Sequence, residues 1–186
     1  MKFIYGMGVN DSTDNTHIEI AGKLVMCPIQ SRWRNMLNRC YSSQYHLSHP
    51  SYKECVVSDE WLLFSKFKLW MESQDWEGKH LDKDLLVKGN KVYGPDTCLF
   101  VSPEVNSFFN GRRSNRFENI GVNWHKATKK YVARVRDTKG GRIFLGYFTN
   151  EDDAVLAYEN GKRMIGEKLA SVQSDKRISA AILRHI

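Results

Sequence analysis

The 186 residues are 41% hydrophobic and 26% charged, a balance that supports a folded core and excludes wholesale disorder. At this length the chain accommodates one ordinary domain or two small ones. No stretch approaches the roughly 20 apolar residues of a membrane span, and the N-terminus lacks the basic, apolar, small-residue order of a signal peptide, so no membrane partner and an intracellular location are expected. The net charge of +7 fits either a polyanionic partner or a solvated basic face that has none.

Residues 1–24 mix Gly, Asn, Asp, Ser and Thr with few periodic apolar positions and read as loop with one short strand at most. From residue 30 to 41, Trp33, Met36, Leu37 and Cys40 follow the spacing of one helical face. Residues 42–51 are polar and read as a loop. Its His46 and His49 have no Cys or acid to complete a metal set. Trp61, Phe64, Phe67 and Trp70 then recur every three residues in a second helix, with Ser58 or Asp59 as its cap. Aromatics at this spacing build a core.

Residues 85–87 and 98–101 are two apolar runs separated by turn-rich Gly89-Asn90 and Gly94-Pro95-Asp96, which predicts two strands. Pro103 and Glu104 open a short helix carrying Val105, Asn106, Phe108 and Phe109. The order is strand, loop, strand, helix. Cys27, Cys40, Cys55 and Cys98 form no C-x-x-C pair and read as reduced core residues.

Positive charge is unevenly placed. Residues 1–111 hold 12 Lys and Arg against 13 Asp and Glu, whereas residues 112–186 hold 16 against 8. Between Arg112 and Arg136 there are eight basic residues and one acid, Glu118. Within this region residues 130–136 alternate Tyr131, Ala133 and Val135 with Val132, Arg134 and Arg136, the period of a strand with two unlike faces. Residues 137–141 form a turn and 142–148 the returning strand of a hairpin. Thr149 is the expected cap of the next helix, with Asp152 three residues on. Ala154, Ala157, Tyr158 and Gly161 give that helix a small-residue face that can lie close to a sheet. A terminal helix is expected from Ile178, Ala181, Ile182 and Ile186.

The predicted class is therefore α+β. Residues 1–111 form a helical unit ending in strand-loop-strand-helix, 112–116 a basic linker, 117–165 a sheet-and-helix domain, and 166–186 a helical tail.

Residues 121–158 resemble the Apetala/ethylene-response-factor type of DNA-binding domain through Gly121-Val122, the strand at 131–137, Leu145-Gly146, Phe148-Thr149 and the Ala154/Ala157/Tyr158 helix. The resemblance implies a three-stranded antiparallel sheet backed by one helix, with the outer sheet face in the major groove of double-stranded DNA. The matching groove-facing positions are Asn123, His125, Arg134, Arg136, Arg142 and Phe144, with Lys126, Lys129 and Lys130 on phosphates. Plant members carry arginines where Asn123 and His125 stand, and a tryptophan in place of Phe144, so their base preference does not transfer.

W-x-x-M-L-x-R-C-Y at residues 33–41, then Trp61, Phe64 and Phe67, then residues 81–98 and Asn106, resemble phage and mobile-element HNH-like homing endonucleases. That resemblance implies a site for Mg²⁺ or another divalent metal, with Asp82 as first ligand and Asn106 as second. Lys83 falls where the family has its general-base histidine, and an ordinary lysine is protonated at neutral pH. His80, two residues before Asp82, is either a substitute base or a surface residue. Three functions remain open: a metal-dependent homing-type endonuclease, a catalytically inactive relative acting as a DNA-binding regulator, and an adaptor for an acidic protein.

Overall fold

The computed structural model describes residues 3–109 and 121–186. In chain order the elements are β1 (Phe3–Ile4), β2 (Gly8–Val9), β3 (His17–Ile20), β4 (Lys23–Met26), α1 (Pro28–Tyr41), α2 (Ser43–Ser48), a 3-10 turn (Pro50–Tyr52), β5 (Val56–Val57), α3 (Asp59–Leu62), α4 (Phe64–Glu72), β6 (His80–Asp82), β7 (Val92–Tyr93), β8 (Leu99–Val101), α5 (Pro103–Phe109), β9 (Val122–His125), β10 (Lys130–Arg136), β11 (Arg142–Phe148), α6 (Glu151–Ser171) and α7 (Lys176–Arg184). The class is mixed α and β, as composition and periodicity require. Two compact units divide the chain, Met1–Phe100 and Val101–Ile186. The linker expected at residues 112–116 lies outside the described residues.

The first unit is organised by α1. Its predicted stripe is buried: Trp33 and Leu37 have no exposed surface, and Met36 and Cys40 almost none. Trp33 packs on Phe64 and donates its indole N–H to the Trp61 carbonyl at 2.7 Å, so a large apolar side chain is buried without stranding its donor. The aromatic segment is two helices rather than one. Leu63 between them is extended (φ −90, ψ 124), because its backbone bridges to Val9 of β2.

Other expectations for this unit need correction. Residues 3–26 form two hairpins, β1–β2 and β3–β4, the second closed by Ala21-Gly22 with both residues left-handed (φ 50 and 75). The stretch read as a loop after α1 holds α2, because Ser42 accepts a bond from the Tyr45 N–H and caps it. Residues 85–87 are not a strand. The Asp82 carboxylate accepts the N–H groups of Asp84 and Leu85 at 2.8 and 2.7 Å, which turns the chain at the end of β6. The strands are instead β6, paired with β8, and β7, parallel to β5.

In the second unit β9, β10 and β11 form an antiparallel sheet in the order β11-β10-β9, packed on α6. The cap of α6 is Asn150, not Thr149. Asn150 accepts from the Asp153 N–H at 2.8 Å and donates to the Asp153 carboxylate at 2.7 Å, a reciprocal box one residue later than expected. Helix α6 runs on to Ser171, beyond the limit of 165 read from sequence, and α7 follows with Ile178, Ala181 and Ile182 buried. Gly166 allows this end to close, since a Cβ there would stand 2.6 Å from Ile186 and 3.1 Å from Phe108. Among the described residues no helix is long and apolar enough to cross a membrane.

Candidate nucleic-acid interface

The two faces of the β9–β11 sheet are set by strand alternation and register. Toward α6 lie Val122, Tyr131, Ala133, Leu145 and Phe148, packed with Ala154, Ala157 and Tyr158. Small residues bring the helix close: a Cβ on Gly161 would be 3.0 Å from Leu145 and 3.3 Å from Val135. Gly121 does the same before β9. Its φ is +99, and a Cβ would lie 2.4 Å from the Tyr158 ring and 2.5 Å from the Arg134 carbonyl, so only glycine fits.

The opposite face carries the residues expected to touch DNA. Lys130 pairs with His125, Val132 with Asn123 and Tyr147, Arg134 with Phe144, and Arg136 with Arg142. Cross-strand partners share a face, so Asn123, His125, Lys130, Arg134, Arg136, Arg142 and Phe144 stand on one surface. Apart from His125, which is half-buried, all of them are exposed. Lys126 and Lys129 are exposed in the β9–β10 turn at its edge, Lys129 in the left-handed region (φ 50). Among the described residues none of the six lysines and arginines takes part in an ion pair. The nearby Asp137 carboxylate is occupied by its own turn, accepting the N–H groups of Lys139 and Gly141 at 2.9 and 2.6 Å.

Sequence reasoning missed Tyr147. Strict alternation from Arg142 and Phe144 would point Gly146 outward and Tyr147 toward the helix. The register between β10 and β11 shifts after Ala133, leaving Leu145 as the extra residue, and Gly146 takes φ +142. Beyond this bulge the faces exchange, so Tyr147 is opposite Val132 on the outer surface. The Leu145-Gly146 pair was the available signal, since glycine inside a strand marks a bulge.

Of the residues matched to an HNH site, His80 and Asp82 lie on β6, Lys83 follows it, and Asn106 lies on α5, the helix after β8. His80, Asp82 and Lys83 belong to the first unit, and Asn106 to the second. His80 and Asp82 are two apart on β6, His80 exposed and Asp82 half-buried. Burial pushes the Asp82 carboxyl above the usual carboxylate range, against the lowering effect of its two amide bonds. Lys83 is buried. Its ammonium donates to Asp84 at 2.6 Å and to the Asn90 carbonyl at 2.8 Å, and lies 5.8 and 5.9 Å from the Tyr52 and Tyr93 ring centres. Asn90 returns a bond to the Lys83 carbonyl at 2.8 Å, locking the loop. The Lys83 side chain is therefore held inside its own loop by Asp84 and the Asn90 carbonyl. Among the described residues no three His, Cys, Asp or Glu side chains converge as metal ligands.

Comparison with protein-family models finds no match for this chain, and neither does comparison with curated proteins or with solved structures.

Proposed function

We propose that this chain is a sequence-selective double-stranded DNA-binding protein that reads the major groove with the outer face of the β9–β11 sheet. The observation that carries the reading is the register that gathers Asn123, His125, Lys130, Arg134, Arg136, Arg142 and Phe144 on the face opposite α6. Dimensions support it. Three strands at about 4.8 Å spacing present a surface about 10 Å wide, which a major groove of about 12 Å admits. The resemblance of residues 121–158 to the Apetala/ethylene-response-factor type of domain supports the same docking.

Chemistry divides the face into two roles. Arg134, Arg136 and Arg142 offer planar forks that match the O6 and N7 edge of guanine, and Asn123 matches adenine. Lys126, Lys129 and Lys130 are point charges suited to phosphates, where they fix position without specifying sequence.

The first unit enters the proposal as a structural body. Asp82 accepts two backbone amides on Oδ1, and the adjacent position carries a buried ammonium paired with Asp84 and bonded to the Asn90 carbonyl. Because this ammonium stands where the HNH-like family has its general base, the proposed function is that of a non-hydrolytic regulator.

The test is a shift assay of the full chain on duplex DNA over a range of salt. Binding should weaken with a log–log slope of about −3 or steeper if the three lysines neutralise phosphates. Charge reversal at Arg134 and Arg136 should abolish the complex. Salt-independent binding, or binding indifferent to both reversals, would sink the proposal. Preference for an acidic protein over duplex DNA would replace it with the adaptor reading.

A further inference from the structure

Three rings form a continuous strip within the basic face. The His125 and Tyr147 ring centres are 5.3 Å apart, and those of Tyr147 and Phe144 are 5.2 Å apart in an edge-on arrangement. Phe144 is 51% and Tyr147 43% exposed, while Val132 beside them is only 3% exposed. The strip therefore has an apolar floor and two solvent-facing rings. His125 is steadied at its base, with Nδ1 2.9 Å from the Thr128 hydroxyl.

Phe144 offers a phosphate oxygen neither charge nor hydrogen bond, so a face built only for phosphates has no use for that exposed ring. A face that enters the major groove meets one apolar feature there, the C5-methyl group of thymine. The cations border the strip on the same surface: Arg134 is opposite Phe144, and Lys130 is opposite His125. Charge complementarity thus selects DNA as the occupant, and the rings select which base edge lies against them.

Resting on the DNA-binding reading above, we infer that Tyr147 and Phe144 form a contact site for pyrimidine C5-methyl groups, making this protein selective for thymine at the step beneath the strip. Tyr147 is the determining residue, because the bulge at Leu145 exists at the point that turns it outward. Each methyl desolvated against the rings should improve binding about fourfold, the worth of one buried methyl-sized group.

The experiment uses the full chain and duplexes of one sequence, selected from a random pool, prepared either with thymine or with uracil throughout. Uracil preserves every hydrogen-bonding group and removes only the methyl. Wild type should bind the uracil duplex about fourfold to tenfold more weakly. Tyr147→Ala and Phe144→Ala should bind both duplexes with similar affinity, and Tyr147→Phe should keep the discrimination. Equal binding of the two duplexes by wild type would overturn this inference while leaving DNA binding intact. Discrimination that survives both alanine variants would also overturn it. Failure to select or bind any duplex would instead overturn the DNA-binding reading on which it rests.

Discussion

The Lys83 ammonium lies 2.6 Å from Asp84 Oδ1 at the end of a side chain only 7% exposed, whereas the Asp84 side chain is 55% exposed. Asp84→Ala therefore leaves the cation inside with the Asn90 carbonyl as its remaining polar acceptor. The expected loss is about 1–2 kcal/mol, discounted for the exposed partner. Lys83→Met should cost less than Lys83→Ala, because it keeps the packed stem and removes the charge. Urea unfolding midpoints at unchanged slope would measure both. Unaltered midpoints in all three variants would mean that the pair does not hold the loop.

Gly121 and Gly161 make opposite demands. Gly121→Ala drives a Cβ into the Tyr158 ring and the Arg134 carbonyl at a positive φ, with an expected loss of about 2–4 kcal/mol. At Gly161 the nearest atoms are side-chain methyls of Leu145 and Val135, which can move by a few tenths of an ångström, and alanine gains about 1 kcal/mol of helix propensity. Gly161→Ala should therefore be near neutral. Thermal unfolding of the full chain by circular dichroism would separate them, and equal effects would contradict this account of the sheet–helix contact.

How far the sequence carries depends on whether a signal is local. The α1 stripe and the alternation of β10 were legible because period alone decides which side is buried. Three features were not. The cap of α4 comes from Asp11, which accepts the Ser65 N–H at 2.8 Å and hydroxyl at 2.6 Å across 54 positions, so a segment that reads as loop is fixed by a distant partner. The break at Leu63 follows from a bridge to Val9, again remote. The outward turn of Tyr147 depends on a bulge that a period of two does not contain, marked locally only by Gly146 within the strand. Among the candidate site residues, Arg134 and Arg136 were legible from alternation, while Asn123, His125, Arg142 and Phe144 came from the resemblance. The burial of Lys83 was not legible, since it depends on Asn90 and on the Tyr52 and Tyr93 rings, none of them a neighbour in sequence.

The four cysteines are free thiols, three of them buried. Burial pushes Cys40 and Cys98 up to about 12 and raises Cys55 in the same direction. At pH 8 a thiol of that strength is thiolate in only about one molecule in ten thousand, and the thiolate is the reactive form. An aromatic disulfide reagent should therefore label Cys27 within minutes in the folded protein and all four in denaturant. Rapid labelling of Cys40 or Cys98 in native buffer would contradict the packing of the first core.

On the sheet, Arg134 and Lys129 should behave differently. Arg134→Ala or Arg136→Ala should relax base preference by about 1–3 kcal/mol for each lost contact. Lys129→Ala should weaken all sequences about equally and reduce the salt slope by about 1. Selection from a random pool, repeated for each variant, would refute the division of roles if the arginine variants kept the wild-type preference.

Cleavage is the sharpest discriminator between a regulator and a nuclease. The Lys83 ammonium is bonded to Asp84 and the Asn90 carbonyl, and the regulator reading rests on that position being taken up in this way. The full chain should leave a duplex that it binds uncut in Mg²⁺ or Mn²⁺. Lys83→His should not confer cutting, because the side chain at 83 is enclosed between Asp84 and the Tyr52 and Tyr93 rings rather than directed at a phosphodiester. Asp82→Asn keeps an oxygen for the Asp84 and Leu85 amides, so it should preserve both fold and DNA affinity. Nicking of a supercoiled plasmid carrying the selected site is the measurement. The outcome that defeats the regulator reading is specific: wild type nicks, and His80→Ala or Asp82→Ala abolishes nicking by 100-fold or more, roughly the worth of a general base, while binding is retained. Loss on His80→Ala would mark His80 as the base, and loss on Asp82→Ala would mark Asp82 as a metal ligand.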